Sequence, residues 1–293
     1  MARVGWRQRQ DIGPSARFQH AMAYDPVTQR TLLFGGSDVA VGDTWAWDGK
    51  FWTQIGRFGP SARTGHSLNY DAARQRVVLF GGSVVDVEVA DTWEFDGTDW
   101  AQVQDIGPTG RQRHATAYDL SRERLVLFGG QLQENPMGDT WEWDGVAWTQ
   151  VDETGPAPRA KHCMAFDAAS EKVILFGGIS AEPNDTWAWD GKTWTKVADT
   201  GPGARSAAVL ASTGSALLLH GGAAIDGTVH GDTWQWASGE WKKLQEMGPA
   251  PRIGHAMTFD TNQGRLVLFG GQDANRRFGD TWEAPITEPR PPP

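Results

Sequence analysis

Short runs of alternating apolar and polar residues, each cut off by turn residues, recur along the chain and read as β-strands. The first set lays out the pattern. His20 to Tyr24-Asp25 predicts a strand a, and the apolar run Thr31-Leu32-Leu33-Phe34, stopped by Gly35-Gly36, predicts a strand b. Two further runs flank Asp48-Gly49 and predict strands c and d. Asp-Gly between such runs is a strong short-hairpin signal, because a type I′ turn needs positive φ at both central residues. The dipeptide returns at Asp96-Gly97, Asp144-Gly145 and Asp190-Gly191, and Ser238-Gly239 replaces it in the fifth set.

These strands belong to a longer sentence: Gly-Pro-x-x-Arg-x-x-His, an alternating run ending Leu-Phe-Gly-Gly, then Asp-Thr-Trp-x-Trp-Asp-Gly and a last Trp. The diglycines at Gly35, Gly81, Gly129, Gly177, Gly221 and Gly270 recur every 44 to 49 residues, a period that marks propellers and arrays. Spacing also fixes the ends. Strand d to the next Gly-Pro is seven positions each time, and Trp6 stands seven before Gly13. The chain therefore opens on a strand d without a strand c, while the sixth unit reaches Asp280-Thr281-Trp282 and lacks its strand d. Joining the two removes both exposed edges. The expectation is an all-β fold: a six-bladed β-propeller of four-stranded antiparallel blades over residues 1–287, closed in its last blade by residues 1–10. A Pro-rich disordered tail is expected at 288–293.

The diglycine after an apolar strand, followed by paired aromatics across a hairpin, resembles the kelch repeat, and six units resemble a six-bladed kelch propeller. One departure is the four residues between Trp47 and Trp52, where the family usually has six. By this resemblance, the residue after each diglycine and those after the strand-a Arg line the channel mouth on the b-to-c loop face. Those positions are Ser37, Ser83, Gln131, Ile179, Ala223 and Gln272, with Phe18, Gln19, Thr64, Gln112, Arg113, Ala160, Lys161, Ser206 and Ile253. The b-to-c connection is also the part of the repeat that varies most in length, and loops on a rigid scaffold are where function concentrates. It adds Asp38, Asp86, Glu88, Glu134, Glu182, Asp226, His230, Asp273, Arg276 and Arg277.

Most conspicuous residues are spent on the repeat itself. All 16 tryptophans occupy repeat positions, where a large rigid ring fills the wedge between sheets. Each unit has one Arg and one Asp before Thr-Trp, which suggests a repeated structural ion pair or a shared backbone anchor. His20, His66, His114, His162 and His255 stand three after an Arg and read as hydrogen-bonded residues near the start of strand a. One imidazole per blade sets neighbours too far apart for a transition metal, whose ligands converge at about 2.0–2.1 Å. The fifth unit breaks the pattern: Ala208 replaces the His and His220 replaces the Phe before the diglycine. Asp226 and His230 are similar to part of the iron-binding motif of plant kelch specifier proteins, but Gly222 stands where its Glu would be. No metal and no cofactor are expected.

A net charge of −9 and a pI near 5.2 argue against nucleic acid or an anionic membrane as partner. Cys163 is the only cysteine, so no internal disulfide is possible, and the start has no apolar leader core. A cytoplasmic monomer is expected. The leading function is a binding module that recognises a protein segment or small polar ligand at the b-to-c loop face. Its candidate residues are Gln112, Arg113, Lys161, Gln131, Gln272, Ser37, Ser83, Glu88, Glu134, Asp226, His220, His230, Arg276 and Arg277. The rival is an isomerase, lyase or cyclase acting at the same mouth.

Overall fold

A computed structural model describes residues 4–9, 12–36, 41–56, 58–245 and 248–286; Ser37, Asp38 and the expected Pro-rich tail lie outside the described residues. Six four-stranded antiparallel sheets, each in the order a-b-c-d, are arranged as the blades of a propeller. Blade 1 comprises Ala21–Asp25, Arg30–Phe34, Thr44–Trp47 and Trp52–Ile55. Strands a of successive blades lie side by side around the axis, and blade 6 meets blade 1. Strand b is covered on both sides and reads as an unbroken apolar run, as in Leu32, Leu33 and Phe34 at 0–2% exposure. Strand d is outermost and buries little beyond its leading Trp.

The core is divided among the six seams, each filled by one cluster drawn from two neighbouring blades. The strand-d Trp is the key of each seam. Trp100 packs on Phe34 of the preceding blade with ring centroids 5.5 Å apart and donates its indole N–H to Thr44 Oγ1 at 3.0 Å. Trp52, Trp148, Trp194 and Trp241 repeat the bond to Thr281, Thr92, Thr140 and Thr186 at 2.8–2.9 Å. The Gly of each Gly-Pro lies flat against that indole: a Cβ on Gly13, Gly59, Gly107, Gly155 or Gly201 would meet it at 2.6–2.8 Å.

Closure follows the spacing. In blade 6, Ala256–Asp260, Arg265–Phe269 and Thr281–Pro285 are completed by Arg7–Gln8, with Arg7 opposite Glu283 and Gln8 opposite Trp282. Gly248 lies 2.5 Å, measured from an added Cβ, from the Trp6 indole, as its counterparts do in every other blade. The seam differs in one bond. The Thr233 hydroxyl lies 3.1 Å from His220 Nδ1, and the Trp6 N–H is buried without a partner while its ring tilts over His220 at 5.5 Å.

The Asp-Gly hairpins are not type I′ turns. They have four loop residues, only the Gly has positive φ (91° at Gly49), and the Asp48 carboxylate accepts the N–H groups of Lys50 and Phe51 at 2.8 Å. The Asp side chain does locally what a tighter backbone would otherwise do. Both residues have positive φ only at Ser238-Gly239 (54° and 81°), where the loop shrinks to two.

Removing residues 1–10 opens the ring and strips a Trp from the blade 5–6 seam. The melting temperature should fall by the equivalent of about 3–5 kcal/mol, the usual cost of losing a packed Trp. An unchanged melting temperature contradicts closure by this strand.

Candidate functional site

Each blade pins its b-to-c face with one buried arginine. In blade 3, Arg111 is 0% exposed; its Nε donates to the Thr109 carbonyl at 3.0 Å, and Nη1 to the Gly129 carbonyl at 2.9 Å. Nη1 and Nη2 also grip the two oxygens of Asp139 at 2.6 and 2.8 Å. Asp139 in turn accepts the Trp141 indole N–H at 2.7 Å. The same pair forms at Arg17–Asp43, Arg63–Asp91, Arg159–Asp185, Arg205–Asp232 and Arg252–Asp280, at 2.6–2.8 Å. Burial alone would raise the Asp43, Asp91, Asp139, Asp232 and Asp280 carboxyls. The arginine and indole hydrogen bonds outweigh it and hold all five below the usual carboxylate range. Both expectations for this pair are met, since the Arg carbonyl also accepts the second diglycine N–H of the preceding blade (Gly82 to Arg111, 2.9 Å).

Two residues beyond each Arg the chain turns into the left-handed region. Gln19, Gly65, Arg113, Lys161, Ala207 and Gly254 have φ of 56–65°. They form a ring at the head of the channel: Gly65 N–H donates to Gln19 O, Arg113 to Gly65, Lys161 to Arg113, Ala207 to Lys161 and Gln19 to Gly254, at 2.7–3.0 Å. Four of the six are not glycine, although this conformation costs an ordinary residue about 1–2 kcal/mol. The sequence carried a signal for this turn in Gly65 and Gly254.

The ring brings Arg113 and Lys161 side by side, both half-buried. Desolvation lowers the Arg113 pKa, with Glu88 acting in the opposite sense. Desolvation, then the Arg113 charge, lowers that of Lys161. Arg113 Nε is buried with no hydrogen-bond partner, and an orphaned buried donor is uncommon enough to ask for one. Around the pair, Gln112 donates to Glu88 at 3.0 Å, Glu88 accepts the Gln133 N–H at 3.0 Å, and Gln112 bridges to Gln131. Ser83, mostly buried, bridges to Thr64, and Gln272 to Ile253.

Other candidates lie apart from this group. Glu134 is exposed on the Gln131–Leu132/Asn135–Pro136 hairpin. Arg276 pairs loosely with Asp273 at 3.8 Å and lies over Phe278, while Arg277 lies over Phe18. Asp273, Arg276 and Arg277, with Gln272, border an open cavity of about 460 Å³ on blade 6. Asp226 caps Thr228 on the blade 5 loop, and His230 is half-buried nearby. His220 is corrected as a ligand-binding candidate: it is 0% exposed, wedged between Trp6 and His255 where the other blades have Phe.

Of the strand-a histidines, His114 meets Ser67 Oγ at 3.0 Å, while His20, His66 and His162 are held by the backbone of Phe269, Phe34 and Phe128 in the preceding blade and His255 by that of His220; the rings pack edge-on there, as His66 does on Phe34 at 5.5 Å. Burial, then the neighbouring Arg charge, holds His20, His66 and His162 down to about 3. His114 and His255 are pushed well below 6.5, and His220 to about 3. Among the described residues no three His, Cys, Asp or Glu side chains gather as a metal group. No helix among them is long and apolar enough to cross a membrane.

A family model described as the KLHDC2/KLHL20/DRC7 Kelch-repeats domain matches residues 98–251. No curated protein matches the chain.

The histidine burial has a testable sign. Six imidazoles with folded pKa values far below the unfolded 6.5 bind protons only in the unfolded chain. Stability is therefore full above about pH 6.5 and falls as pH drops toward about 3. The free energy of urea unfolding should decline steadily from pH 7 to pH 4.5, by up to about 1.4 kcal/mol per pH unit below 6.5 for each imidazole. A flat profile over that range contradicts neutral burial.

Proposed function

The chain belongs to the kelch-repeat family, and on that premise we propose that it is a binding module whose b-to-c loop face holds an anionic group. That group is carried by a protein segment or a small polar ligand. The observation behind this reading is the Arg113–Lys161 pair, two half-buried cations on adjacent blades with the Arg113 Nε lacking a partner. In a chain of net charge −9 these two cations are held together at a backbone cost that glycine would avoid. A guanidinium offers a forked donor set that fits a carboxylate or phosphate, and the adjacent ammonium adds a point charge. Glu88 and Gln112, tied to each other, form one flank and set where a second, hydrogen-bonding group of the ligand would rest. The short hairpins Ser83–Val84/Val87–Glu88 and Gln131–Leu132/Asn135–Pro136 rise beside the pair and limit the approach.

A random peptide display library selected on the intact propeller tests this directly. Enriched peptides should carry Asp or Glu. The double variant Arg113→Gln/Lys161→Gln should lose about 2 kcal/mol of their binding, the low end for desolvated charges because both cations are only half-buried. Glutamine is already accommodated at this ring position, as Gln19 with φ 56°. Hydrogen-exchange protection should fall on the two short hairpins. Protection confined to the Asp-Gly hairpins, or equal binding by the double variant, contradicts the reading.

A further inference from the structure

The central channel is a second feature, distinct from the cationic mouth. Its walls are the six strands a, each the end strand of its sheet, so their inner edges have no sheet partner. A cavity of about 530 Å³ runs from the level of the ring histidines to Pro26, Ala72, Leu120 and Thr261, exposed residues of the a-to-b turns. Its lining holds no Asp, Glu, Lys or Arg, and its histidines are neutral.

The wall is not uniform. At the first strand-a position the blades carry Ala21, Ser67, Ala115, Cys163, Val209 and Ala256; at the second, Met22, Leu68, Thr116, Met164, Leu210 and Met257. At the third they carry Ala23, Asn69, Ala117, Ala165, Ala211 and Thr258. Ser67, Asn69, Thr116 and Thr258 are the hydroxyl and carboxamide residues in these positions, and the first three meet at one seam, between blades 2 and 3. There the Thr116 hydroxyl donates to Asn69 Oδ1, and Ser67 Oγ meets His114 Nε2 at 3.0 Å. Asn69 lines the cavity and is half-buried, as are Tyr70 beside it and Thr258 of blade 6, while Ser67 and Thr116 are buried. Across the ring stand the apolar residues Leu210 and Met257 of blades 5 and 6. His20, His66, His114, His162 and His255 line the same channel with buried rings.

At these three positions no other seam gathers three hydroxyl or carboxamide residues. We propose that the channel binds a small uncharged molecule with hydroxyl or amide groups along one edge and an apolar face opposite, entering from the a-to-b turn face. Any ionic group would leave water without a counter-charge, which the uncharged lining cannot offset. Asn69, Ser67 and Thr116 each donate and accept, as a hydroxyl or carboxamide does. The ligand's other face meets Leu210 and Met257, and the inference does not depend on the anion site.

Benzamide and benzoate, alike in shape and different in charge, are the probes. Ligand-observed NMR titration of the intact chain should detect benzamide binding that benzoate does not compete for and that Arg113→Gln/Lys161→Gln leaves unchanged. Ser67→Ala/Asn69→Ala should weaken it roughly tenfold, the loss of one to two net hydrogen bonds. Those alanines reproduce blades 1 and 3, which carry Ala21/Ala23 and Ala115/Ala117. A crystal soaked in benzamide should show it beside Asn69, a readout that stands whether or not the double variant folds. Absence of benzamide binding, equal binding by the double variant, competition by benzoate, or density only outside the channel overturns the proposal.

Discussion

Six buried guanidiniums hold this propeller together. A buried ion pair is costly to desolvate and gains little unless every lone pair and proton is used. Here four of the five N–H groups are used: each Arg gives Nε to the carbonyl two residues back, Nη1 to a diglycine carbonyl, and both Nη nitrogens to its Asp, as Arg63 does with Ser61, Gly81 and Asp91. The Arg carbonyl then ties down the preceding blade, Gly36 N–H to Arg63 O at 2.9 Å. The diglycine is required on both counts. A Cβ on Gly35 would meet Arg63 O at 2.8 Å, and one on Gly36 would meet His20 Cβ at 2.7 Å.

This constraint divides the chain into residues that are spent and residues that are free. Arg, Asp, diglycine and Trp serve the seams in every blade and the repeat His in five, so a ring of six arginines is not a ring of six binding charges. The free positions are those two beyond each Arg and those after each diglycine, where identity changes from blade to blade. At the left-handed ring the cost of a non-glycine residue is met at Gln19, Arg113, Lys161 and Ala207, and of these only Arg113 and Lys161 bring charge.

Fold and closure were legible because period, spacing and turn residues repeat, so chance resemblance at one blade is checked by five others. Trp6 needed only its seven-residue spacing to Gly13 to be placed correctly. The ion pairs were legible from equal counts of Arg and Asp. What escaped was set by side-chain environment rather than pattern. Asp48 caps the hairpin through its carboxylate, so Asp-Gly did not mean a two-residue turn. His220 looks like a free imidazole in sequence but takes a Phe's place in the seam, where Thr233 satisfies one nitrogen. The Ser67–Asn69–Thr116 group spans two blades, and nothing along the chain says that residues 47 apart, as Asn69 and Thr116 are, face each other.

The division between spent and free residues is tested most directly by two arginines in one strand entry. Urea unfolding of Arg111→Gln should reveal a loss of about 3–5 kcal/mol, because Asp139 is left partly buried beside an unmet Gly129 carbonyl. Arg113→Gly, which places at φ 57° the residue that Gly65 and Gly254 already supply there, should leave stability unchanged or raise it by up to about 1 kcal/mol. A large loss in Arg113→Gly together with a small one in Arg111→Gln would contradict the account.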